Sequence, residues 1–351
     1  MSNYLKGETQ QGLIRLASKI VQPLLPNFYK GQAGKICVIG GCRDYTGAPF
    51  FAGHSAASTG ADLTHIVCEE KAATVIKLYL PDLMVHPYLM DSKGYSEYSL
   101  NTQLLLIENI KLWHDNSIVT EILSHMETLI QRSDLFVVGP GFGRDPLMLS
   151  QLYRLVTEIK KLDKPIIFDA DALYLVQLDP SLVTNYSKAI LTPNIIEFVR
   201  IAKALDISTT TEDVSLEKVI ALTSMVSKKL GNITIVRKGA KDVILQGDKY
   251  LTVDLASSPR RVGGQGDTLS GALGTFINWS YNYLKGVWPH PPDIDNQSDA
   301  TLLACFAACT LVRTASGKAF AKYGRAMQTS NVHEFLGDSY NELFGDGSSH
   351  L

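Results

Sequence analysis

Leu135-Phe-Val-Val-Gly-Pro-Gly-Phe-Gly-Arg-Asp145 joins a short apolar run to a glycine-rich turn, and an amphipathic stretch over 146–161 follows it. Four apolar residues bounded by turn-forming residues are typical of a buried strand. The apolar spacing after the turn indicates a helix that buries one face. The stretch therefore predicts a strand, a turn and a helix, which is the repeating unit of a parallel sheet covered by helices.

The same unit recurs on both sides of this stretch. Short β-branched runs alternate with longer amphipathic stretches, which predicts βαβ crossovers. The fold class is therefore α/β, with a doubly wound, mostly parallel sheet and helices on both faces. Strands are predicted at 36–39, 65–68, 135–138, 165–168, 188–191 and 233–237, and helices near 48–60, 71–80, 117–132, 146–161, 195–204, 215–230, 267–284 and 300–315.

The alternation continues without a break in composition, so the 351 residues are predicted to form one large domain rather than two. We expect a peripheral helix within 1–30, a single catalytic domain over 31–335 and a C-terminal tail over 336–351. The segment 288–298 contains three prolines and is predicted to be a surface loop.

Composition excludes several classes of protein. Hydrophobic residues make up 45% of the chain and charged residues 19%, which allows a large core and excludes a disordered protein. The formal net charge of −2 provides no basic field for a phosphate backbone, so no nucleic acid is expected as a partner. The longest apolar run, 302–311, is shorter than the about 18 residues that span a membrane, so no membrane partner is expected.

The cysteines and the N-terminal region bear on the compartment. Five cysteines without dense, even spacing are not a secreted disulfide framework, and they favour a reducing compartment. Cys305 and Cys309 lie four residues apart on an apolar stretch where nothing completes a metal site, so we expect both in the core. The first 30 residues show no secretory or transit signal, which favours the cytoplasm.

Gly263-Gly-Gln-Gly266 comes directly before the predicted helix that begins at Asp267. Such a turn can direct several backbone N–H groups at one point, and the helix dipole adds positive potential, so the segment predicts an anion site. A carboxylate beside a bound phosphate is unfavourable unless it takes a proton from an attacking hydroxyl. Asp267 therefore suggests phosphoryl transfer to an alcohol. Asp267 as a simple helix cap explains the same residues, and this alternative stays open.

Polar residues follow three other predicted strands. Asn194 and Glu197 share a helix face, either as phosphate or metal-water ligands or as an N-cap with its capping-box glutamate. We expect Asp169 and Asp171 to point the same way, and either to orient Mg²⁺ through water or to cap the next helix. Lys238 either places a cation near a nucleotide or is a solvated lysine at a strand end. Neither a dinucleotide-binding G-x-G-x-x-G nor a P-loop occurs in the sequence.

Six segments occur in a specific order along about residues 30–330. They are Tyr45-Thr-Gly-Ala48, Gly139-Pro-Gly-Phe-Gly-Arg144, Asp169-Ala-Asp-Ala-Leu173, Leu191-Thr-Pro-Asn194 with Glu197-Phe198, Lys238-Gly239 and Gly263-Gly-Gln-Gly-Asp267. Each segment is weak evidence by itself, whereas the ordered set is specific. The set resembles the ribokinase-like fold and, within it, the eukaryotic ATP-dependent NAD(P)H-hydrate dehydratases.

The resemblance implies a carbon–oxygen lyase that repairs hydrated NADH or NADPH. In that family ATP phosphorylates the ring hydroxyl of the S epimer, and elimination of phosphate restores the dihydronicotinamide with ADP as the other product. The resemblance implies that Asp267 is the base and that the backbone of Gly264, Gln265 and Gly266 holds the transferring phosphoryl group. ATP is then the co-substrate, and Mg²⁺ is the expected cofactor.

The resemblance also implies ligand contacts. The hydrate would be bound by Ala48, Gly141, Asn194, Ile195, Ile196, Glu197, Phe198, Val199, Arg200 and Asp267. ATP would be bound by Lys238, Gly239, Ala240, Lys241, Asp242, Ser257, Ser258, Pro259, Arg260, Arg261, Val262, Gly263, Gly264, Gln265 and Gly266. Mg²⁺ would be held by Glu197, Asp169 and Asp171, in part through water. Bacterial relatives carry a histidine and a glycine where this chain has Asn194 and Ile196, so a histidine contact with the hydrate is not carried over.

The family further implies partners. The hydrates NADHX and NADPHX and ATP are the small-molecule substrates, and a separate NAD(P)H-hydrate epimerase is the functional partner, because we expect no room for an epimerase domain. A homo-oligomer and a mitochondrial form are both compatible with the sequence. Two other functions stay open: a ribokinase-like kinase of a small alcohol or vitamin precursor, which would release a stable phosphorylated product, and a non-catalytic nucleotide-binding or sensing module.

Overall fold

The computed structural model describes residues 5, 7–93, 110, 117–209 and 215–345. Its strands are β1 (Lys35–Ile39), β2 (Leu63–Glu69), β3 (Met84–Leu89), β4 (Leu135–Val138), β5 (Ile166–Phe168), β6 (Ala189–Leu191), β7 (Thr234–Arg237), β8 (Asp242–Gln246) and β9 (Lys249–Val253). Within the described residues they form one nine-stranded sheet in the order β3-β2-β1-β4-β5-β6-β7-β8-β9. The pairs from β3 to β7 are parallel, and β8 and β9 are antiparallel, which confirms the mostly parallel α/β sheet.

Helices connect most of the parallel strands. They are α1 (Gln10–Ser18), α2 (Gly47–Thr59), α3 (Glu70–Tyr79), α4 (Ser117–Arg132), α5 (Pro146–Lys161), α6 (Asp171–Leu178), α7 (Ile195–Ala204), α8 (Leu216–Lys229), α9 (Gln265–Leu284), α10 (Gln297–Tyr323), α11 (Thr329–Glu334) and α12 (Leu336–Phe344). Several begin at a side chain that accepts a backbone N–H of the first turn, as Asp145 does for α5.

Alternate residues of each central strand pack into two different cores. Ile36 and Val38 of β1 belong to the core that α2, α9 and α10 cover, whereas Cys37 and Ile39 belong to the core beneath α4 to α8. This alternation follows from the period of two in a strand, and it means that both faces of the sheet are buried. Cys305 and Cys309 are buried in the first core, which confirms their prediction as core residues.

The order of the strands reverses at β1, which lies between β2 and β4. The loops after β1 and β4 meet there, because Gly41 N–H donates a hydrogen bond of 2.9 Å to the carbonyl oxygen of Pro140. A Cβ at Gly40 would lie 2.2 Å from the same oxygen, so this close approach requires glycine. Ligands of doubly wound sheets bind at such a reversal point, beyond the carboxyl ends of the strands.

Three strands were not predicted from the sequence. The strand β3 lies at the edge of the sheet, contains Pro87, and alternates buried with partly exposed residues. Proline is tolerated at an edge because an edge strand leaves N–H groups unpaired. The hairpin of β8 and β9 extends the other edge.

The predicted C-terminal tail is wrong for residues 336–344, which form α12. Leu336 and Phe344 are buried, and the ring of Phe344 lies 5.4 Å from that of Phe276 in α9, so apolar packing orders this segment. Residues 346–351 lie outside the described residues. The predicted peripheral helix near the N-terminus corresponds to α1, which buries Leu13 and Ile14 in the first core.

One described helical segment, Gln297–Ala326, is long and apolar enough to cross a membrane by length and composition. Its apolar window is 89% buried inside the protein, as expected for the core helix of a folded domain.

Candidate active site

The glycine-rich loop before α9 has the geometry of an anion site. Gly264 is the N-cap of the helix and has a φ of +98°, a backbone conformation that favours glycine. A Cβ at this position would lie 2.7 Å from Cδ2 of Phe51, so the loop also packs too closely for any side chain. The helix begins at Gln265, which makes Asp267 its third residue rather than its cap. The interpretation of Asp267 as a simple N-cap is therefore wrong.

The ends of β5, β6 and β7 bring a lysine and an aspartate together beside this loop. Lys238 Nζ lies 2.8 Å from Oδ1 of Asp169, and the Thr192 hydroxyl donates a 2.8 Å hydrogen bond to the same oxygen. Asp169 is 1% exposed, so the carboxylate depends on these donors in place of water. A Cβ at Gly266 would lie 3.3 Å from Lys238 Nζ, which places the ammonium group against the glycine loop.

Carboxylates outnumber cations in this cluster. Glu197 Oε2 lies 4.0 Å from Lys238 Nζ, and the charges of Asp169, Asp267 and Lys238 influence one another. Burial and then the charge of Asp169 raise the pKa of Asp267 to about 7, although Lys238 opposes the shift. Burial also raises the pKa of Glu197, against the opposing charge of Lys238.

Asp169 itself keeps its negative charge. Burial alone would raise its pKa, but the charge of Lys238 and the hydrogen bonds from Lys238 and Thr192 outweigh burial and lower it. The pKa of Lys238 is raised, because its attraction to Asp169 and Glu197 outweighs burial. The lysine therefore remains a cation, and Asp267 is the carboxylate that exchanges its proton near neutral pH.

Asn194 and Glu197 form the capping box that their spacing allows. The Asn194 side chain accepts from the backbone of Ile196 and Glu197, and Glu197 Oε2 accepts from the Asn194 N–H at 2.8 Å. Glu197 Oε1 has no protein hydrogen-bond partner among the described residues, so capping leaves one carboxylate oxygen available for a ligand.

The expectation that Asp169 and Asp171 point the same way is wrong. Ala170 between them has a φ of +47° and a ψ of −117°, so the backbone turns sharply instead of continuing as a strand. Asp171 Oδ2 accepts the N–H of Gly143 at 2.8 Å, and Oδ1 lies 3.3 Å from Nε of Arg144. Asp169 thus belongs to the lysine cluster, and Asp171 fixes the loop after β4.

The described residues contain no group of three or more His, Cys, Asp or Glu side chains arranged to hold a metal ion. Magnesium, however, is commonly bound by one or two carboxylates together with phosphate oxygens and water. Of the three predicted ligands, Asp171 has both carboxylate oxygens in contact with protein donors, whereas Glu197 retains Oε1. Glu197 therefore fits a magnesium ion that the nucleotide brings, and Asp169 keeps one oxygen, Oδ2, outside the hydrogen bonds from Lys238 and Thr192.

A cavity of about 790 Å³ opens between α8, α9, α10 and the β7–β8 turn, large enough for a nucleotide. The predicted ATP-binding residues that line it are Lys238, Gly239, Ala240, Lys241, Asp242, Ser257, Arg261, Val262, Gln265 and Gly266. The predicted residues that do not line it are Ser258, Pro259, Arg260, Gly263 and Gly264. Asn194 and Ile195, assigned to the hydrate, also line this cavity.

Sequence reasoning missed eight of the twenty residues that line the cavity. The additional lining residues are Leu216, Val219, Arg237, Leu269, Cys309, Val312, Arg313 and Ser316. Six of them lie on α8 and α10, where no local spacing links them to the glycine loop, whereas Arg237 ends β7 next to Lys238 and Leu269 lies in α9 three residues after Gly266. One signal was visible: Arg313 is a cation immediately after the longest apolar run, and it proves to be buried.

The structure places the predicted hydrate contacts in different surroundings. Gly141 and Ala48 come together as expected, because a Cβ at Gly141 would lie 3.1 Å from the Cβ of Ala48. Phe198 is fully buried, with the Arg237 guanidinium 4.0 Å above its ring, so it supports the site and does not face a ligand. Arg200 is exposed and lines a small cavity of about 110 Å³ with Glu197, Asp171, Arg144 and neighbouring residues of α6.

The NAD(P)H-hydrate dehydratase family matches residues 36–337, which contain the glycine loop, the lysine cluster and both cavities. The chain belongs to this family. A relative from Candida albicans named ATP-dependent (S)-NAD(P)H-hydrate dehydratase is 51% identical over 369 residues. The alignment covers 97% of this chain and 98% of that relative, so the likeness extends over the whole domain.

Solved structures agree on the fold. A ribokinase-like superfamily protein from Enterococcus faecalis matches with a TM-score of 0.67 and 19% identity and covers 95% of each chain. An ADP/ATP-dependent NAD(P)H-hydrate dehydratase from Bacillus subtilis, co-crystallized with ATP and Mg²⁺, matches with a TM-score of 0.61 and 16% identity. That match covers 95% of this chain and 97% of the other. The fold of this family member is therefore ribokinase-like.

Proposed function

We propose that this chain is an ATP-dependent (S)-NAD(P)H-hydrate dehydratase, a carbon–oxygen lyase that repairs the hydrated forms of NADH and NADPH. The observation that carries the proposal is Asp267, whose pKa of about 7 combines with its place in the first turn of α9 beside the glycine loop. Such a carboxylate can accept a proton near neutral pH while adjacent backbone N–H groups bind a phosphoryl group. The identity with the Candida albicans relative supports the substrate assignment.

In the proposed reaction the ring hydroxyl oxygen of the S hydrate attacks the γ-phosphorus of ATP. The bond from this phosphorus to the bridging oxygen breaks and releases ADP, while the hydroxyl proton passes to Asp267. The ring carbon then loses phosphate, and the neighbouring carbon loses a proton, so that the ring double bond of NADH or NADPH forms. Phosphorylation is needed because hydroxide is a poor leaving group and phosphate is a good one.

The glycine loop and Lys238 stabilise the charge of the transferring group. The N–H groups at the start of α9 have no helical partner, so the backbone of Gly264, Gln265 and Gly266 is free to bind phosphoryl oxygens. Lys238 lies against this loop and stays positively charged. Both features are already in place before a ligand binds, which reduces the reorganisation needed in the transition state.

Mg²⁺ is the proposed cofactor, and Glu197 is its proposed protein ligand. Glu197 Oε1 has no protein partner in the described part of the chain, and an oxygen donor suits this hard cation. When bound with ATP, the metal would neutralise phosphate charge. The hydrate is proposed to lie along Gly141, Ala48 and the start of α7, with Arg200 nearby for its phosphates.

The reaction implies a metabolic partner. Because the proposed activity uses the S hydrate, an NAD(P)H-hydrate epimerase must convert the R hydrate before it can be repaired.

We propose the cytoplasm as the compartment, which the free state of all five cysteines supports.

The test combines purified protein with (S)-NADHX, ATP and Mg²⁺ and records reduced-nicotinamide absorbance together with released phosphate. We expect absorbance and phosphate to rise in a one-to-one ratio. Consumption of ATP with a stable phosphorylated product would instead indicate a small-alcohol kinase. Failure to recover NADH by protein that binds ATP would refute the dehydratase assignment.

A further inference from the structure

Helix α11 contacts the glycine loop, although none of its residues lines the cavity. The Thr329 hydroxyl donates a 2.6 Å hydrogen bond to the carbonyl oxygen of Gly263. A Cβ at Gly264 would lie 3.0 Å from Cγ2 of Thr329 and 2.7 Å from Cδ2 of Phe51, whose ring lies 5.2 Å from that of His333. Thr329 and Phe51 therefore pack together against the loop at Gly264.

A second contact from α11 reaches the first turn of α9. His333 Nε2 lies 2.8 Å from the Thr268 hydroxyl oxygen, and this hydroxyl donates a 2.9 Å hydrogen bond to the Gly264 carbonyl. A threonine hydroxyl has only one proton. Since it donates that proton to Gly264, it must accept the hydrogen bond from His333 Nε2–H.

This assignment fixes the rest of the chain of hydrogen bonds. With Nε2 protonated, neutral His333 presents an unprotonated Nδ1, which lies 2.7 Å from Nδ1 of His54. His54 must then donate from Nδ1, and its Nε2, at 3.4 Å from Oγ of Ser58, is left as an acceptor. A proton added to Nδ1 of His333 would face the Nδ1–H of His54 at 2.7 Å, so this arrangement requires a neutral His333.

The surroundings keep both imidazoles neutral. Burial, and then the proximity of His54, lowers the pKa of His333 to about 3. Burial also lowers the pKa of His54, against the weaker opposing charge of Asp82. Burial thus favours the neutral form of both imidazoles in this hydrogen-bond chain.

We propose that Thr329 and His333, with His54 behind them, are positioning residues that hold the glycine loop in its phosphoryl-binding conformation. The carbonyl oxygens of Gly263 and Gly264 are tethered on the α11 side, which turns the N–H groups of the loop toward the cavity. The inference rests on the proposed phosphoryl-binding use of the loop. It assigns a role in the reaction to a C-terminal helix that contributes no lining residue to the nucleotide cavity.

Two pairs of variants test the tethers. Thr329→Val and His333→Phe keep the shape of the side chain and remove the hydrogen bond, whereas Thr329→Ser and His333→Gln keep a donor. We expect the first pair to lower kcat about tenfold each, because small displacements of catalytic groups are costly, and to leave KM for (S)-NADHX within about twofold. The second pair is expected to retain most of the wild-type kcat.

A matched control is His290→Phe. His290 is also half-buried, stacks on Tyr283 with ring centroids 3.6 Å apart, and lies 2.7 Å from the Tyr283 carbonyl oxygen, but it is remote from the loop. We expect this variant to keep its kcat. An equal loss of kcat in His290→Phe and His333→Phe would overturn the proposal, because it would show a general effect of losing a packed histidine.

Hydrogen–deuterium exchange of residues 263–267 provides a readout that does not need turnover. We expect faster exchange in Thr329→Val and His333→Phe than in the wild type and the two donor-retaining variants. Unchanged exchange with unchanged kcat would overturn the proposal. If His333→Phe fails to fold, the smaller change Thr329→Val decides the outcome. A wild-type protein without dehydratase activity would refute the proposed function, and the exchange rates would still decide whether the tethers hold the loop.

Discussion

Two buried ion pairs lie beside the nucleotide cavity, and they differ in charge balance. Arg313 Nε lies 2.7 Å from Asp242 Oδ2, and its remaining groups donate to the carbonyls of Leu255 and Gly239. Asp242 Oδ1 in turn accepts the N–H of Gly239. One cation meets one carboxylate, and the buried polar atoms of both have partners.

The neighbouring pair of Lys238 and Asp169 lacks this balance. The same lysine also lies 4.0 Å from Glu197 and within electrostatic range of Asp267. One cation cannot neutralise three nearby carboxylates, so at least one of them gains from holding a proton. The difference teaches that a balanced pair can fix a strand end, whereas an unbalanced cluster suits the base that we propose at Asp267.

Asp267→Asn removes the surplus carboxylate and is expected to have the largest effect. We expect the rate of NADH recovery to fall by about 10³-fold, within the range for loss of a general base, with ATP affinity retained. Steady-state kinetics and calorimetric titration with ATP measure the two quantities. Turnover near the wild-type rate would show that Asp267 is not the base.

The same variant should not lose stability. The folded pKa of Asp267, about 7, lies above the ordinary value of 3.8, so the folded state holds the proton more tightly than the unfolded state does. Its contribution to stability is present below about pH 4 and is lost as the pH rises to about 7. At pH 8 we expect the Tm of Asp267→Asn to equal or exceed that of the wild type. A lower Tm at pH 8 would contradict the unfavourable ionisation of this group.

Lys238→Met removes the cation of the unbalanced cluster. It leaves Asp169 buried with Thr192 as its remaining side-chain donor, which is expected to lower the free energy of unfolding by about 3–5 kcal/mol. The rate of NADH recovery is expected to fall about 10²-fold, because the cation beside the glycine loop is lost. The double variant Lys238→Met/Asp169→Asn is expected to recover most of the stability and none of the rate. Urea unfolding and steady-state kinetics separate these effects, and recovery of the rate would show that Lys238 is only structural.

Arg313→Met tests the balanced pair. The single change leaves the buried Asp242 carboxylate without its cation and should lower the free energy of unfolding by about 3–5 kcal/mol. The double variant Arg313→Met/Asp242→Asn is expected to regain most of this loss. In contrast to the lysine cluster, we expect the double variant to keep kcat within about threefold and to raise KM for ATP, because Gly239 loses its anchor. A fall in kcat as deep as that of Lys238→Met would remove the distinction between the two pairs.

Ala170→Gly is expected to have the smallest effect. A positive φ at a residue with a Cβ costs on the order of 1–3 kcal/mol, which glycine avoids at the expense of a more flexible unfolded chain. We therefore expect stability unchanged or higher by about 1 kcal/mol, and KM for the hydrate higher by a few fold as Asp171 is held less firmly. Thermal unfolding and kinetics check both, and a marked loss of stability would show that the turn is not strained.

The sequence predicts the parallel part of the sheet well because buried strands carry strong local signals. All six predicted strands occur, for example 135–138 as β4, and 146–161 forms α5 with the expected bounds. The missed elements have weak local signals: Pro87 interrupts β3, and α12 becomes ordered only because Phe344 finds a partner in Phe276. Local pattern cannot report such tertiary packing.

The residues of the site likewise differ in how well the sequence predicts them. The glycine loop and Asp267 are contiguous, and a turn before a helix is visible in the sequence. Lys238 and Asp169, however, are 69 residues apart, and only the sheet order places them 2.8 Å from each other. The expected common direction of Asp169 and Asp171 failed because it assumed an extended backbone at Ala170, where the chain turns. The tethers from Thr329 and His333 had no signal in the sequence at all.

The pH dependence of kcat/KM for (S)-NADHX at saturating ATP tests most directly whether the unbalanced cluster makes Asp267 a base near neutrality. We predict that kcat/KM in the wild type falls tenfold per pH unit below an apparent pKa near 7, and that the residual rate of Asp267→Asn shows no such fall. A wild-type profile that stays flat down to pH 5 would contradict the account.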